Sequence, residues 1–443
     1  MKPRRKKSTA NRLTRRTFVK TTGFATGAVI ANSASMSAMN YVQGNQKLKL
    51  ALVGCGGRGT GAAVQALTAD PDVELVAMAD AFQDRLESSL SAIIEHFDGN
   101  RKITVTEKNR FVGFDAYIKA IDLADVVLLA TPPGFRPLHF EYAVAQDKHI
   151  FMEKPVATDS VGVRRVLEAA KLAKQKRLNV VVGLQRHYEK KYNALFDEVQ
   201  KGTIGKILSG QVYWNSAGVW VRERQAGQSE LEYQMRNWYY FNWLCGDHIL
   251  EQHIHNIDVA NWFVGEYPKS AQGMGGRQTR TGPDHGEIYD HHFVEFTYPS
   301  GAVISSQCRH QKGCFNRVDE AFQGTKGSIV TQKGLITDLE GSTLLNANKE
   351  KDPNPYQVEH DRLFASIRNK DVISDAENAA KSTLTAIMGR MATYSGQTIT
   401  WEQALNATQN LVPDDLSWNS QAPVLPDKNG NYAIPMPGIT KFT

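Results

Sequence analysis

Leu48-Lys49-Leu50-Ala51-Leu52-Val53-Gly54-Cys55-Gly56-Gly57-Arg58-Gly59 is the stretch whose reading decides the fold. Apolar residues crowd Lys47 to Val53 as in a buried first strand, and Thr60 to Ala69 reads as the helix that follows. A glycine turn between strand and helix is the context of a dinucleotide fingerprint. Gly54 suits the tight turn, Gly56 lets backbone approach a pyrophosphate, and Gly59 lets helix pack closely on strand. Gly57 and Arg58 complete the turn, and the pyrophosphate is expected at the helix N-terminus, where free N–H groups and the dipole favour an anion.

Working outward, Val73 to Ala79 is a second apolar strand that ends at Asp80, the position from which a carboxylate accepts hydrogen bonds from ribose hydroxyls. A carboxylate there repels a 2'-phosphate, so the expected cofactor is NAD rather than NADP, with Arg85 downstream softening the preference. Ala124 to Ala130, a helix from Leu138 to Gln146 and a strand from His149 to Met152 continue the alternation, which implies right-handed crossovers and a parallel sheet. The last strand delivers Glu153-Lys154-Pro155 to the ligand side of that sheet, and Pro155 stiffens the turn that aims Lys154. Further on, Glu251-x-x-x-His255 places a carboxylate one helical turn before an imidazole, within a helix expected over Ile249 to Trp262.

These motifs together resemble the Gfo/Idh/MocA family of oxidoreductases, the glucose-fructose oxidoreductase and inositol dehydrogenase group, over nearly all of the chain after residue 46. The matching features are the glycine turn, Ala130-Thr131-Pro132 with His139 downstream, and Glu153-Lys154-Pro155. Val181 to Arg186 and Glu251-Gln252-x-x-His255-x-x-Asp258 complete the set. The resemblance implies a Rossmann domain followed by an α+β domain with a large, mostly antiparallel open sheet. It implies cofactor contacts at Thr131, Pro132, His139, Glu153 and Lys154, with Lys154 between nicotinamide and substrate and His255 as the acid/base. Hydride transfer from a carbinol carbon needs a base for the hydroxyl proton, which an imidazole suits, while the lysine charge favours the developing alkoxide. Many relatives carry Asp where this chain has Glu251, which is expected to orient His255 or to meet a substrate hydroxyl.

The second half supplies a substrate domain. After a helical stretch at Tyr192 to Lys201, strand-like runs occur at Ile207 to Tyr213, Ala271 to Gly273, His292 to Tyr298 and Ala302 to Arg309. The last two are joined by the hairpin signal Pro299-Ser300-Gly301. Gln185, Arg186, Tyr188 and Asp258 are the candidate substrate contacts, and Trp214, Trp220 and the segment Trp238 to Trp243 offer aromatic faces for a sugar ring. His285, His291 and His292, with Glu251 and His255, are enough ligands for a metal. Their spacing matches no zinc pattern, so none is expected. Cys308 and Cys314 are close enough in sequence to pair, although no CxxC is present.

The formal charge of +6 hints at nucleic acid until its origin is seen: nine Lys or Arg and no acid fall in residues 1–20, leaving the remainder at −3. Nucleic-acid binding is therefore not expected. Thr14-Arg15-Arg16-Thr17-Phe18-Val19-Lys20, then a Gly/Ala-rich apolar run, read as a twin-arginine export signal cleaved near residues 33–40, with the export machinery as a partner and a periplasmic location. The expected organisation is residues 1–46 as signal and linker and 47–188 as the NAD-binding domain. Residues 189–395 form the substrate and oligomerisation domain, and 396–443 a surface-wrapping extension. A compartment without free NAD implies a tightly held cofactor. The leading expectation is thus an exported NAD-dependent oxidoreductase acting on a sugar, polyol or glycoside, a homodimer or homotetramer through the second sheet. Its rivals are a glycosidase that oxidises the ring transiently and, more remotely, a non-catalytic sugar sensor.

Overall fold

In the computed structural model, residues 47–442 are described, apart from 100, 101, 349, 350 and 414. The twin-arginine segment lies outside them. Strands β1 (Leu48–Val53), β2 (Val73–Asp80), β3 (Arg110–Val112), β4 (Val126–Leu129), β5 (His149–Met152) and β6 (Val180–Val182) form a parallel sheet in the order β3-β2-β1-β4-β5-β6. Strands β4 and β6 are buried at every residue, as continuous apolar runs covered on both faces must be. Helices α1 (Gly57–Ala69), α2 (Gln83–His96), α3 (Ala116–Asp122), α4 (Arg136–Ala145) and α5 (Ser160–Gln175) make the crossovers. Their apolar stripes set one core around Leu52, Ala63, Leu67 and Leu75 and a second around Val127, Phe140, Val163 and Val166.

After α6 (Lys190–Gln200) the chain builds a second sheet from β7 (Ile207–Ser216), β8 (Ser270–Gly276), β9 (His291–Thr297), β10 (Val303–His310) and β11 (Arg317–Gly324). It is completed by β12 (Gly327–Val330), β13 (Leu335–Asp338), β14 (Thr343–Asn346) and β15 (Ile399–Thr400). The order is β14-β13-β12-β11-β7-β10-β9-β8-β15, antiparallel throughout except where β10 runs parallel to β7. This is the Rossmann plus α+β architecture that the sequence implies. Strands β9 and β10 alternate buried and half-buried residues, so one face packs inward. That face is covered by α10 (Ile254–Val264) and α12 (Ala376–Ser395), which contribute Ile257, Phe263, Leu384 and Met388 to the core.

Three features differ from the sequence reading. The helix expected over Ile249 to Trp262 is broken at Gln252–His253 into the single turn α9 (His248–Glu251) and α10. Glu251 and His255 therefore do not share one helical face. Strands β11 to β14 are absent from the sequence reading, which places no strand after Arg309. Finally, α11 (Pro355–Asn369) returns to the first domain, where Leu363 and Phe364 pack into the core beside β1 and β2 and Ser374 bridges to Val180.

Candidate active site

The glycine turn has the geometry of an anion cradle. Gly54 adopts φ +98°, and a Cβ there would lie 2.5 Å from the Ala130 carbonyl carbon. One on Gly59 would lie 1.9 Å from the Gly54 oxygen. Gly56 and Gly57 are the reverse: a Cβ on either meets no atom within 4 Å, so both face outward at the start of α1. No side chain caps α1, leaving its first N–H groups for a ligand. The Asp80 carboxylate is fixed by the Cys55 N–H (2.7 Å) and the Phe82 N–H (2.9 Å), which ties the β1–α1 turn to the end of β2. Burial raises the Asp80 pKa against these two donors. Each carboxylate oxygen keeps lone-pair capacity for a ribose hydroxyl, so the residues present fit NAD.

Arg58 turns inward. Its guanidinium pairs with Glu153 and with Glu359 of α11 (2.9 Å), donates to Gln65 (2.9 Å), and lies over the rings of Phe151 and Tyr356. Three of its five N–H donors are thereby committed within the protein. The Glu153 side chain in turn explains Gly183, where a Cβ would come within 2.9 Å of Glu153 Oε2. Thr131 and Pro132 follow β4. Thr131 Oγ1 contacts His139 Nδ1 at 3.2 Å, and His139 stacks on Tyr117. Burial, with Arg136 adding to it, pushes the His139 pKa down to about 3, so this imidazole is neutral and supports Thr131 from behind. Arg136 is wholly buried, donating to the Leu129 (2.5 Å) and Thr131 carbonyls.

Lys154 emerges at the end of β5 and reaches across to α9, where its Nζ donates to the Glu251 backbone carbonyl (2.5 Å) and carboxylate (3.2 Å). Glu251 is buried and its Oε2 has no partner. Burial raises its pKa, and Lys154 works against the rise. His255 is buried, stacked near Trp214 (centroids 5.9 Å apart), with Nδ1 unpartnered. Burial first, then Lys154 and Arg186, hold its pKa well below 6.5, so at neutral pH it is a base rather than a cation. The Tyr239 hydroxyl is buried against the Glu251 carboxylate, too poorly aligned for a full hydrogen bond; burial and then the Glu251 charge raise its pKa. Gln185 Oε1, just beyond β6, is also buried without a partner.

The other candidates are committed elsewhere. Arg186 pairs with buried Glu320, which also accepts from Asn256 (2.6 Å) and Tyr192 (2.9 Å). Tyr188 donates to Asp375 (2.7 Å) within the first-domain core. Asp258 accepts from Ser382 (2.7 Å) and Asn378 (3.2 Å) and contacts His187 Nε2 at 2.6 Å. Among the described residues the histidine-rich group with metal-ligand spacing is Asp247, His248 and His292, not Glu251 and His255. The Asp247 carboxylate is already occupied by the N–H groups of His248 and Tyr289 and by the Tyr394 hydroxyl, so the group reads as a hydrogen-bonded brace. All four cysteines are free, Cys308 buried and Cys314 exposed. Sequence reasoning missed Tyr239, named only within an aromatic run, and Glu359, whose link to Arg58 spans three hundred residues with no local signal.

Comparison with known proteins places the chain. Residues 48–184 match the Gfo/Idh/MocA family model described as "Oxidoreductase family, NAD-binding Rossmann fold". Residues 197–411 match its "C-terminal alpha/beta domain". The chain belongs to the Gfo/Idh/MocA oxidoreductase family, and its cofactor is NAD. That family is one of oxidoreductases, and proteins named inositol 2-dehydrogenase are among the relatives this chain matches. The chain is 26% identical over 209 residues to 2,7-anhydro-N-acetylneuraminate hydratase of Escherichia coli K12 (47% of this chain and 51% of that one). It is 25% identical over 281 residues to inositol 2-dehydrogenase of Rhizobium meliloti (63% and 74%). It thus spans about half of the first relative and three quarters of the second. Among solved structures, levoglucosan dehydrogenase with NADH and levoglucosan superimposes with a TM-score of 0.61 at 17% identity, over 80% of this chain and 99% of that one. Aldose-aldose oxidoreductase from Caulobacter crescentus gives 0.60 at 18%, over 80% and 100%.

Proposed function

We propose that this chain is exported by the twin-arginine route, oxidises a carbinol carbon of a sugar, polyol or glycoside, and keeps its NAD between turnovers. The observation that carries the chemistry is the cluster of buried polar groups at Lys154: Glu251, which takes the Lys154 ammonium and lies against the Tyr239 hydroxyl, and His255, whose Nδ1 has no protein partner. A buried polar atom without a partner costs about 1–3 kcal/mol, which favours a ligand able to bond His255. A hydroxyl-rich ligand offers both donors and acceptors to this cluster. NAD, when bound, supplies the hydride acceptor. Lys154, held by Glu251, donates to the reacting oxygen and favours its alkoxide character. The neutral imidazole of His255 takes the hydroxyl proton. Trp214, stacked beside that imidazole, offers an apolar wall for a ring.

One relative favours a second reading. The Escherichia coli protein is named for a hydration, a reaction with no net oxidation, and a glycosidase that oxidises its substrate transiently would share that property. Offering the protein a panel of sugars, polyols and glycosides while following NADH absorbance and product mass separates the two. Oxidised product with NADH supports the dehydrogenase, bond cleavage without net NADH supports the transient oxidant, and no change with any of them contradicts both. Export is tested by cell fractionation of the native chain against the Arg15→Lys, Arg16→Lys double variant, which is expected to stay in the cytoplasm. Assembly through the second sheet, which exposes Met274 toward one edge and Leu344 at the other, is expected to give a dimer or tetramer on size-exclusion chromatography.

A further inference from the structure

The segment after residue 411 lies beyond the family-model match, yet it runs over the dinucleotide end of the crevice. Trp418 packs against Phe82 (ring centroids 5.1 Å apart) and Phe114 (4.7 Å), and Phe114 against Phe135 (6.1 Å). These three phenylalanines follow β2, β3 and β4, so one aromatic row draws on the carboxyl-end loops of three strands on the two sides of β1. Phe82 is also the residue whose N–H fixes Asp80, the ribose carboxylate. Beside it, a cavity of about 320 Å³ is lined by Ala81, Phe82, Asp84, Glu232, Arg236 and Trp418. Arg236 lies 4.0 Å over the Phe82 ring while paired with Asp84 (3.2 Å) and Glu232 (2.9 Å).

The segment is fastened on both sides. Leu411 N–H donates to Asp159 (2.7 Å) in the first domain. In the second, Gln234 of α7 (Glu230–Arg236) donates to the Val424 carbonyl (2.6 Å), Tyr432 bonds Glu230, and Tyr432 packs edge-on against Phe241. Trp418 itself remains 38% exposed between these anchors, a large flat ring held at the mouth of a cavity. Burying such a ring fully would have been more favourable for folding alone. A planar base stacks on ring faces whatever its sequence context, and the base of NAD lies beyond the ribose that Asp80 binds.

We propose that residues 415–432 form a strap over the adenosine end of the cofactor crevice, with Trp418 supplying a ring face for the adenine. The strap slows the departure of NAD, and in that respect the proposal rests on the reading of a retained cofactor. It gives that reading a physical agent, because a ligand closed in by a segment tied to both domains leaves only when the ties open.

The test is calorimetric titration of nucleotide-free protein with ADP-ribose, which carries the adenosine half and no nicotinamide, for the native chain, Trp418→Ala and Trp418→Phe. Trp418→Ala is expected to weaken ADP-ribose about tenfold or more, and Trp418→Phe to restore most of the loss. The release rate of bound NAD should follow the same order. Equal affinity in all three chains would overturn the strap while leaving the sugar reading intact. A loss of ADP-ribose binding in Trp418→Ala, in a native protein that oxidises no sugar, would uphold the strap and sink the sugar reading. Should Trp418→Ala melt early, Trp418→Leu carries the same test, since it keeps bulk without the flat ring and must also weaken ADP-ribose.

Discussion

The two ends of the crevice are built differently. At the dinucleotide end most polar side chains are paired with one another, Asp80 with Cys55 and Phe82, Arg58 with Glu153, Glu359 and Gln65, Thr131 with His139, and the atoms left over, Glu359 Oε2 and Arg136 Nε, lie behind the glycine turn rather than beside Lys154. At the reaction end Lys154, Glu251 and Tyr239 lie against one another, and His255 keeps a buried Nδ1 without a protein partner. A region that completes its own hydrogen bonds holds its shape before the ligand arrives; one that does not completes them on the ligand. The contrast teaches which residues tune affinity for a fixed cofactor and which discriminate among substrates.

The largest expected effect falls at the reaction end. Lys154→Met should lower kcat by about 10²–10⁴-fold while ADP-ribose affinity stays within about twofold. A variant that lost ADP-ribose instead would break the division between the ends.

The paired end should answer in stability. Arg58→Met leaves Glu153 and Glu359 buried without their cation, and removing one partner of a buried pair costs about 3–5 kcal/mol. The lower part of that range applies because the Arg58 side chain is 32% exposed. Denaturant unfolding measures this. An unchanged midpoint with weakened NAD would mean that Arg58 serves the pyrophosphate directly.

Acid should loosen both ends. His139, His253 and His360 are buried with pKa values pushed down to about 3, so the unfolded chain binds more protons than the folded one below pH 6.5. Stability is therefore complete above pH 6.5 and falls by about 1.4 kcal/mol per pH unit for each histidine until its folded pKa is reached. Glu287, raised to about 7 by burial, opposes this between pH 4.5 and 7, since its folded form holds the proton there. Asp80, Glu189, Glu251, Glu359 and Asp375, also raised by burial, oppose it in the same way. His149, His255, His285, His292 and His310, also lowered, add to the loss. The histidines prevail because their unfolded pKa lies near 6.5, and the melting temperature should drop from about pH 6.5 to 4.5. A flat profile would contradict their buried neutral state.

A smaller effect sharpens the reaction end. Glu251→Gln keeps the contact to Lys154 and removes the charge, so a fall in kcat of about 10–100-fold is expected from imperfect aim of Lys154. An unchanged pH profile of kcat would show that the Glu251 charge has no part in the chemistry.

Much of this was legible in the sequence because it is local. The glycine turn, the short apolar strands and Glu153-Lys154 are read from neighbouring residues, and their placement follows from the parallel sheet. What could not be read was long-range or fully buried. Hydrophobic period cannot reveal the break at Gln252–His253, because both faces of that helix are buried. Nothing near Arg58 points to Glu359, and nothing near Trp418 points to Phe82. Likewise, Tyr188, Arg186 and Asp258 stand in the right motifs, but their polar atoms answer to Asp375, Glu320 and Ser382.

The central claim, a retained NAD reduced by a hydroxyl-bearing substrate at Lys154 and His255, is tested most directly by denaturing the purified mature protein and identifying the released nucleotide by mass spectrometry. The native protein is then mixed with substrate without added cofactor. The account predicts stoichiometric NAD and a single turnover of NADH absorbance. An empty protein that turns over only with added NAD would contradict it.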